Sequence, residues 1–262
     1  MKKQTFTLVE LLVVVGIIAL LAGLIIPAVG MAQTSARRTA CLSNQGQVMK
    51  IMRAYMNEGD VQFLPNWHNS STKTYYWTQA LFNAGKLQND ISVARCPAIL
   101  PFQDPKVTDE EDPSLAEAYG MIYSTRADSE DNRGIKFKST KALKYDGDTS
   151  NKSDDFMVAA NQLALGGCSA YLDSGRDQIV AKALLNFNQD GNGTDDKVGR
   201  PTLAHGGQVN IFFLDGHSES LTKDALYRKK YYTRVEGADD RDAVAVAHSV
   251  TSDNWILDPD AD

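Results

Sequence analysis

A long apolar run near the N-terminus constrains the fold more than any other feature of this sequence. The run covers residues 6–29, and its only strongly polar members are Thr7 and Glu10. A helix of this length is long enough to cross a hydrocarbon layer of about 30 Å. Near the centre of such a helix a carboxylate costs about 2.5 kcal/mol or more, even on lenient insertion scales. The presence of Glu10 therefore calls for a physical reason.

Three interpretations of the run compete. As a cleavable secretory signal, it would have a basic start at Lys2 and Lys3 and small residues for a leader peptidase at 28–32, although it exceeds the usual apolar length. As a plain single-pass anchor, it would have no orientation fixed by charge, because Arg37 and Arg38 flank its other end. The third interpretation gives Glu10 a specific partner.

Residues 2–30, KKQTFTLVELLVVVGIIALLAGLIIPAVG, resemble the cleavage and methylation segment of type IV pilins and type II secretion pseudopilins. The resemblance implies that a prepilin peptidase cuts between Thr5 and Phe6, that Phe6 is N-methylated, and that Glu10 is the fifth mature residue. Thr5 stands where the family normally has glycine. Cleavage would create an ammonium group one helical turn from Glu10, and an ammonium is the natural partner for a carboxylate at low dielectric. Glu10 is thus predicted to direct assembly.

The resemblance also predicts the architecture. We expect an α+β, pilin-like fold in which a long N-terminal transmembrane helix packs against a mainly antiparallel β-sheet head. Pro27 should kink this helix without ending it. The predicted inner stripe of the outer half is Ala36, Ala40, Val48, Ile51, Met52 and Tyr55. The predicted segments are a leader at 1–5, the transmembrane half of the helix at 6–29, its outer half at 30–57, and a head at 58–262 with a hairpin at 205–221.

The clearest β pattern, QVNIFFLDGHSESL, alternates two sets of side chains and then reaches an Asp-Gly turn. With His205 ten residues before Asp215, the segment resembles the H-x9-D-G motif of a large group of pilin-like proteins. CLSN at 41–44, RCPA around Cys96 and AYG at 118–120 match the same group. The structural interpretation is that Asp215 shapes the turn, Gly216 supplies a positive φ and His205 hydrogen-bonds beside the hairpin. A metal-ligand or catalytic role for these residues with His217 is the alternative.

Charge and motif content argue against several functions. Residues 1–57 carry a net charge of +5, so the total of −6 leaves −11 on residues 58–262. No stretch concentrates the Lys and Arg that phosphate neutralisation needs, which argues against nucleic acid as a partner. GxSxG, HExxH, P-loop and GxGxxG patterns are absent from the sequence, so we do not expect an enzyme.

The cysteines of the chain are Cys41, Cys96 and Cys168. They are too few and too widely spaced for a disulfide scaffold or a zinc ribbon. One disulfide bridge or three free thiols are both compatible with the sequence.

One loop, NFNQDGNGTDDK, suggests Ca²⁺ as a cofactor. Asn188, Asp190 and Asn192 occupy alternate positions, and Asp196 falls where a ninth ligand would lie in a twelve-residue calcium loop. The twelfth position is Gly199 instead of a bidentate glutamate, so the loop is not an EF-hand. A solvated turn without an ion is the alternative.

Taken together, these patterns predict a structural filament subunit that resembles a type IV pilin or a secretion pseudopilin. Its expected partners are other copies of itself, a prepilin peptidase, inner-membrane assembly machinery and membrane lipid. Its expected location is the cytoplasmic membrane, with the head facing the periplasm or the exterior. The alternative function is a secreted or membrane-anchored carbohydrate-active or binding protein with an ordinary signal sequence.

Overall fold

The computed structural model of the chain describes residues 7–58, 74–88, 90–99, 106–122, 161, 163–173, 178–185 and 198–227. It also describes strands at 63–64, 67–68, 135–136, 143–145, 156–158, 230–234 and 245–249.

One continuous helix, α1 (Leu8–Glu58), forms the N-terminal part of the chain. Its 51 residues span about 77 Å at 1.5 Å per residue. Pro27 lies inside the helix and, as predicted, does not end it. Because proline has no backbone N–H, the carbonyl of Gly23 lacks its usual helical donor at this point.

A capping box starts α1. Thr7 precedes the helix, and its hydroxyl accepts a hydrogen bond from the Glu10 backbone N–H at 3.3 Å. In return, the Glu10 carboxylate accepts from the Thr7 backbone N–H at 2.9 Å and from the Thr7 hydroxyl at 2.7 Å. This exchange satisfies two donors that the first helical turn would otherwise leave free.

Within the described residues, the head contains short strands, two short helices and two 3₁₀ turns. The helices are α2 (Trp77–Asn83) and α3 (Lys223–Tyr227), and the 3₁₀ turns cover Ser92–Ala94 and Pro113–Ala116. The strands of the described chain are β1 (Phe63–Leu64), β2 (Trp67–His68), β3 (Thr74–Tyr75), β4 (Gly120–Ile122), β5 (Ile135–Lys136), β6 (Leu143–Tyr145), β7 (Phe156–Val158), β8 (Leu163–Gly167), β9 (Ser169–Asp173), β10 (Gln178–Ala181), β11 (Leu184–Leu185), β12 (Val198–Pro201), β13 (Gln208–Phe213), β14 (Ser218–Thr222), β15 (Lys230–Arg234) and β16 (Ala245–Ser249).

Ten of these strands form one mixed sheet. Its order is β10-β9-β12-β11-β4-β8-β13-β14, with β15 also paired to β8 and β16 paired to β15. Six of the nine strand pairs described in this sheet are antiparallel, and β11–β12, β11–β4 and β15–β8 are parallel. The layout is therefore α+β with antiparallel pairing in the majority.

The predicted hairpin is the β13–β14 pair. Val209 lies opposite Leu221 and Ile211 lies opposite Glu219 in an antiparallel register. Both faces of β13 are buried from Val209 to Phe213, and the Asn210 side chain contacts α1 at Arg38.

The outer half of α1 packs on the head along a stripe that was predicted in part. Ile51 and Tyr55 are partly buried against the core, as predicted. Val48 and Met52 are fully buried, as predicted, but Ala36 and Ala40 are exposed, so their assignment to the inner stripe is wrong. The physical reason is that the buried face of α1 begins only at Cys41. It comprises Cys41, Gln45, Val48, Met49, Met52 and Met56, which recur at helical spacing.

Glycines let the strands behind α1 approach closely. A Cβ on Gly166 would lie 2.2 Å from the Gly120 carbonyl oxygen and 2.5 Å from Phe212 Cζ. A Cβ on Gly167 would lie 2.2 Å from the Asn210 carbonyl oxygen. These two positions, directly before Cys168, therefore admit no side chain unless the backbone moves.

We expect Gly166→Ala to destabilise the head by about 1–3 kcal/mol, the usual cost of overpacking. The matched control is Gly46→Ala, because a Cβ on this helical glycine meets no atom within 4 Å. That control should be stabilising by up to about 1 kcal/mol through helix propensity. Urea unfolding of both full-length variants in detergent, followed by tryptophan fluorescence, measures the difference. Equal midpoints for the two variants would contradict the close approach.

Candidate functional site

Four chemically reactive side chains converge where α1 meets the head. Cys41 comes from α1, Cys96 follows the 3₁₀ turn at Ser92–Ala94, Cys168 lies between β8 and β9, and His205 precedes β13. All four are buried, with exposed fractions between 0% and 2%. Among the residues that the structure describes, this is the group of His, Cys, Asp and Glu side chains that lies close enough to share a metal ion. We call it the Cys3His cluster.

Four of the distances between ligand atoms of the Cys3His cluster are 3.4 Å. Cys168 Sγ lies 3.4 Å from both Cys41 Sγ and Cys96 Sγ. His205 Nε2 lies 3.4 Å from Cys96 Sγ and 3.4 Å from Cys168 Sγ. The four ligand atoms all lie within 4.8 Å of one another. None of the three cysteines is in a disulfide, so the free-thiol alternative describes this structure.

Local backbone hydrogen bonds fix two of these residues. The Cys168 N–H donates to the Asn210 carbonyl at 2.9 Å, and the Cys168 carbonyl accepts from the Thr202 N–H at 3.0 Å. The His205 N–H donates to the Gln208 carbonyl at 3.1 Å across a turn whose two central residues, Gly206 and Gly207, have φ of 66° and 75°. Such positive φ values favour glycine, so the His-Gly-Gly sequence holds His205 at the start of β13.

The side chains of Gln45 and Tyr119 lie beside the sulfur atoms of the cluster. Gln45 Nε2 lies 3.8 Å from Cys41 Sγ and 3.8 Å from Cys168 Sγ, and it donates to the Asn210 carbonyl at 3.0 Å. The Tyr119 hydroxyl donates towards Cys41 Sγ at 3.4 Å and to the Cys41 carbonyl at 3.3 Å. Donors in these positions stabilise negative charge on sulfur.

Burial and mutual contacts shift the pKa values of the three thiols in opposite directions. Burial raises the pKa of Cys96 and that of Cys168 well above the usual value. Burial also acts to raise the pKa of Cys41, but hydrogen bonds with Cys168, Cys96 and His205 outweigh it and lower that pKa. Burial and the nearby thiols raise the pKa of Tyr119.

The predicted motif residues occupy two separate places. His205 belongs to the buried Cys3His cluster, whereas Asp215 and His217 lie in the partly exposed β13–β14 turn. There Asp215 Oδ1 accepts from the His217 N–H at 3.1 Å and contacts His217 Nδ1 at 2.5 Å. Gly216 has φ of 90°. The turn also contacts α1, because Arg53 donates to the Leu214 carbonyl at 3.3 Å.

Other predicted site residues lie outside the described part of the chain. These are Thr5 and Phe6 of the cleavage site, and Asn188, Asp190, Asn192 and Asp196 of the calcium loop. Gly199, the twelfth position of that loop, is described and lies in β12.

The first half of α1 presents a continuous apolar surface. Its large apolar side chains between Leu8 and Met31 are 45% to 74% exposed, and no side chain is buried across the most apolar 18-residue window. By length and composition this helix could cross a membrane, and a signal sequence near the N-terminus would satisfy the same criterion. The exposed half continues without a break into the half that carries Cys41.

Comparison with protein-family models, with curated proteins and with solved structures finds no match for this chain.

The Cys3His cluster was not predicted from the sequence, because its members are distant along the chain. Cys96 and Cys168 are 72 residues apart, Cys168 and His205 are 37 apart, and Cys41 and Cys168 are 127 apart. The available signal was indirect: CLSN, RCPA and the H-x9-D-G motif each contain one member of the cluster. The polar contacts beside these residues were not predicted either.

Asn210 provides a test of how α1 docks on the head. This residue is fully buried in β13, and its side chain donates to the Arg38 carbonyl at 3.1 Å and accepts from Ser220. We expect Asn210→Leu to destabilise the protein by about 1–3 kcal/mol, because it leaves buried polar partners unpaired. Asn44→Leu, on the partly exposed face of α1, should change stability by less than about 0.5 kcal/mol. The urea concentrations at the midpoint of unfolding measure the stability of both variants. Equal destabilisation by the two substitutions would contradict the role of Asn210 in docking α1 on the head.

Proposed function

We propose that the chain is a structural subunit of a filament of the type IV pilus or secretion pseudopilus kind, with a pilin-like fold. The observation that carries this proposal is the division of α1 into two halves. The outer half buries side chains against the head from Cys41 onward, whereas the first half has no side chain buried across its most apolar window. A contiguous apolar surface of this size normally contacts lipid or another protein.

Lipid and neighbouring copies of the same helix would cover this surface at successive stages. In the membrane, the helix satisfies its own backbone hydrogen bonds, which a single spanning segment must do. In the filament, the same surface packs against the first halves of other subunits, and the heads face outward. A filament thus uses one apolar surface for storage in the membrane and for polymerisation.

Glu10 supports assembly over simple anchoring. In the isolated chain its carboxylate is bonded only to Thr7 among the described residues, and these hydrogen bonds bring no positive charge to it. A carboxylate in a low-dielectric surround gains most from a cation. The amine released at Phe6 by leader removal supplies that cation, either on the same helix or on a neighbouring subunit. N-methylation retains the positive charge of the amine.

The remaining partners follow from this assembly route. A prepilin peptidase cuts between Thr5 and Phe6, and inner-membrane machinery extracts the subunit from lipid. The subunit waits as a single-pass protein of the cytoplasmic membrane with its head facing the periplasm or the exterior. The role is structural and requires no enzymatic activity of the head.

The mature N-terminus distinguishes filament processing from ordinary secretion. We expect intact-mass and N-terminal sequencing of the protein from its native host to give a methylated Phe6, because the residues after the cut match the prepilin pattern. A mature N-terminus near Met31 or Gln33 would instead support the alternative, a secreted carbohydrate-active or binding protein. Retention of Met1 on assembled protein would refute processing at Thr5.

The charge of Glu10 can be tested apart from its capping role. Glu10→Gln keeps an acceptor for the Thr7 N–H but removes the charge, so it should insert in the membrane and fail to assemble. Breaking one partner of a desolvated ion pair costs about 3–5 kcal/mol, and about 1.4 kcal/mol corresponds to a tenfold change. The sheared, sedimentable fraction of the protein should therefore fall at least about tenfold.

The matched control for this experiment is Thr7→Ala, which removes the capping hydroxyl but keeps the Glu10 charge. It should weaken the first helical turn by about 1 kcal/mol and leave assembly near the wild-type level. Mass measurement checks that both variants are cleaved, and alkaline extraction checks that both remain in the membrane. Normal assembly of Glu10→Gln, or an equal loss of assembly in both variants, would contradict the proposed charge pairing.

A further inference from the structure

We propose that Cys41, Cys96, Cys168 and His205 bind one Zn²⁺ ion in a closed structural centre that clamps the outer half of α1 to the head. This inference does not depend on the filament proposal, because it rests only on the buried junction between α1 and the sheet.

The spacing of the four ligand atoms fits a shared ion. Zinc binds thiolate sulfur at about 2.3 Å and imidazole nitrogen at about 2.0–2.1 Å in a tetrahedron, so its ligand atoms lie about 3.5–3.8 Å apart. The measured separations are 3.4 Å for two sulfur pairs and 3.4 Å for two sulfur–nitrogen pairs. A disulfide would need about 2.05 Å between its sulfur atoms.

The ligand types select the metal. Three thiolates and one imidazole are a known structural set for Zn²⁺. Calcium and magnesium take oxygen ligands, so the cluster does not suit them, and it is chemically unrelated to the predicted calcium loop. All four coordination positions would come from the protein, which leaves no open position for a water or a substrate. Such closed centres stabilise folds and do not catalyse reactions.

The surroundings also suit a metal–thiolate centre. Zn²⁺ with three thiolates carries a net charge of −1, and each thiol that is protonated beforehand releases its proton on binding. Gln45 Nε2 and the Tyr119 hydroxyl approach the sulfur atoms as donors. They occupy the positions from which outer residues orient metal ligands and spread their charge.

Surface cavities border the Cys3His cluster on two sides. One surface cavity of about 450 Å³ is lined by Cys96, Asn44 and Gln47, among others. A second cavity, of about 470 Å³, is lined by His205, Arg38 and Thr34, among others. Each cavity borders one ligand residue, while the ligand side chains themselves stay buried, with exposed fractions of 2% or less.

The consequence of zinc binding is a cross-link between four separate segments. Cys41 is the first buried residue of α1, while the other three ligands come from different parts of the head. One ion would therefore join the helix to the loop after Ser92–Ala94, to the β8–β9 junction and to the turn before β13. This cross-link would replace the disulfides that the three cysteines do not form.

The test begins with the full-length protein, purified in detergent from zinc-supplemented cells without a metal-affinity step. Elemental analysis should give about one zinc per chain. Replacement by Co²⁺ should give the intense visible bands of tetrahedral cobalt with thiolate charge transfer in the near ultraviolet. Zinc removal by a chelator should lower the melting temperature, and zinc addition should restore it. Less than about 0.2 zinc per chain together with no cobalt spectrum would overturn the proposal.

Two histidine variants give a matched comparison. His205→Ala should lose zinc, whereas His217→Ala in the exposed turn should retain about one zinc per chain. Because His205→Ala could fail to fold, His205→Cys provides a second measurement: it should keep the metal and strengthen the cobalt–thiolate charge-transfer band. An unchanged cobalt spectrum in His205→Cys would exclude His205 as a ligand.

Thiol counting separates zinc binding from oxidation. The proposal predicts three thiols that react only after the chelator is added, and an intact mass that matches the fully reduced chain. A mass lower by two hydrogens, with one reactive thiol and no metal, would show a disulfide and overturn the zinc assignment.

Discussion

The contact between α1 and β13 is the interaction on which the rest of the head depends. On this face of β13, the Asn210 side chain donates to the Arg38 carbonyl, and the Asn210 carbonyl accepts both from Gln45 and from the N–H of Cys168. A helix, the hairpin strand and the β8–β9 junction are thus joined through one buried asparagine. The glycines before Cys168 are needed because any side chain there would separate the strands that this residue brings together.

Local patterns in the sequence predicted the parts of the fold that depend on local forces. The apolar run predicts α1, and the alternation with Asp215-Gly216 predicts the β13–β14 hairpin, because helix and hairpin geometry follow from residues close in the chain. The inner stripe of α1 was only partly predicted. Helical periodicity identifies possible faces, but it does not say where along the helix burial begins, so Ala36 and Ala40 were assigned to a buried face that starts only at Cys41.

The Cys3His cluster could not be predicted in the same way. Rules for zinc sites use ligands that share one or two loops, whereas these four ligands are brought together by the whole path of the sheet. The motif containing His205 predicted the turn at Asp215 and Gly216 but gave no indication that the histidine would face thiols from three other segments. For Glu10, the structure adds a role that the resemblance did not suggest, since its carboxylate caps the first turn of α1.

The unbroken helix between the apolar surface and the head has a mechanical consequence. Glu10 and Cys41 lie on one rod, separated by about 46 Å at 1.5 Å per residue, and a pull on the N-terminal end is transmitted along its backbone hydrogen bonds. Two points on this path differ from the rest: the carbonyl of Gly23 opposite Pro27, where one bond is missing, and the junction at Cys41, where load passes from helix to sheet. The first allows the rod to bend, and the buried contacts from the second onward hold the head to the helix against such a pull.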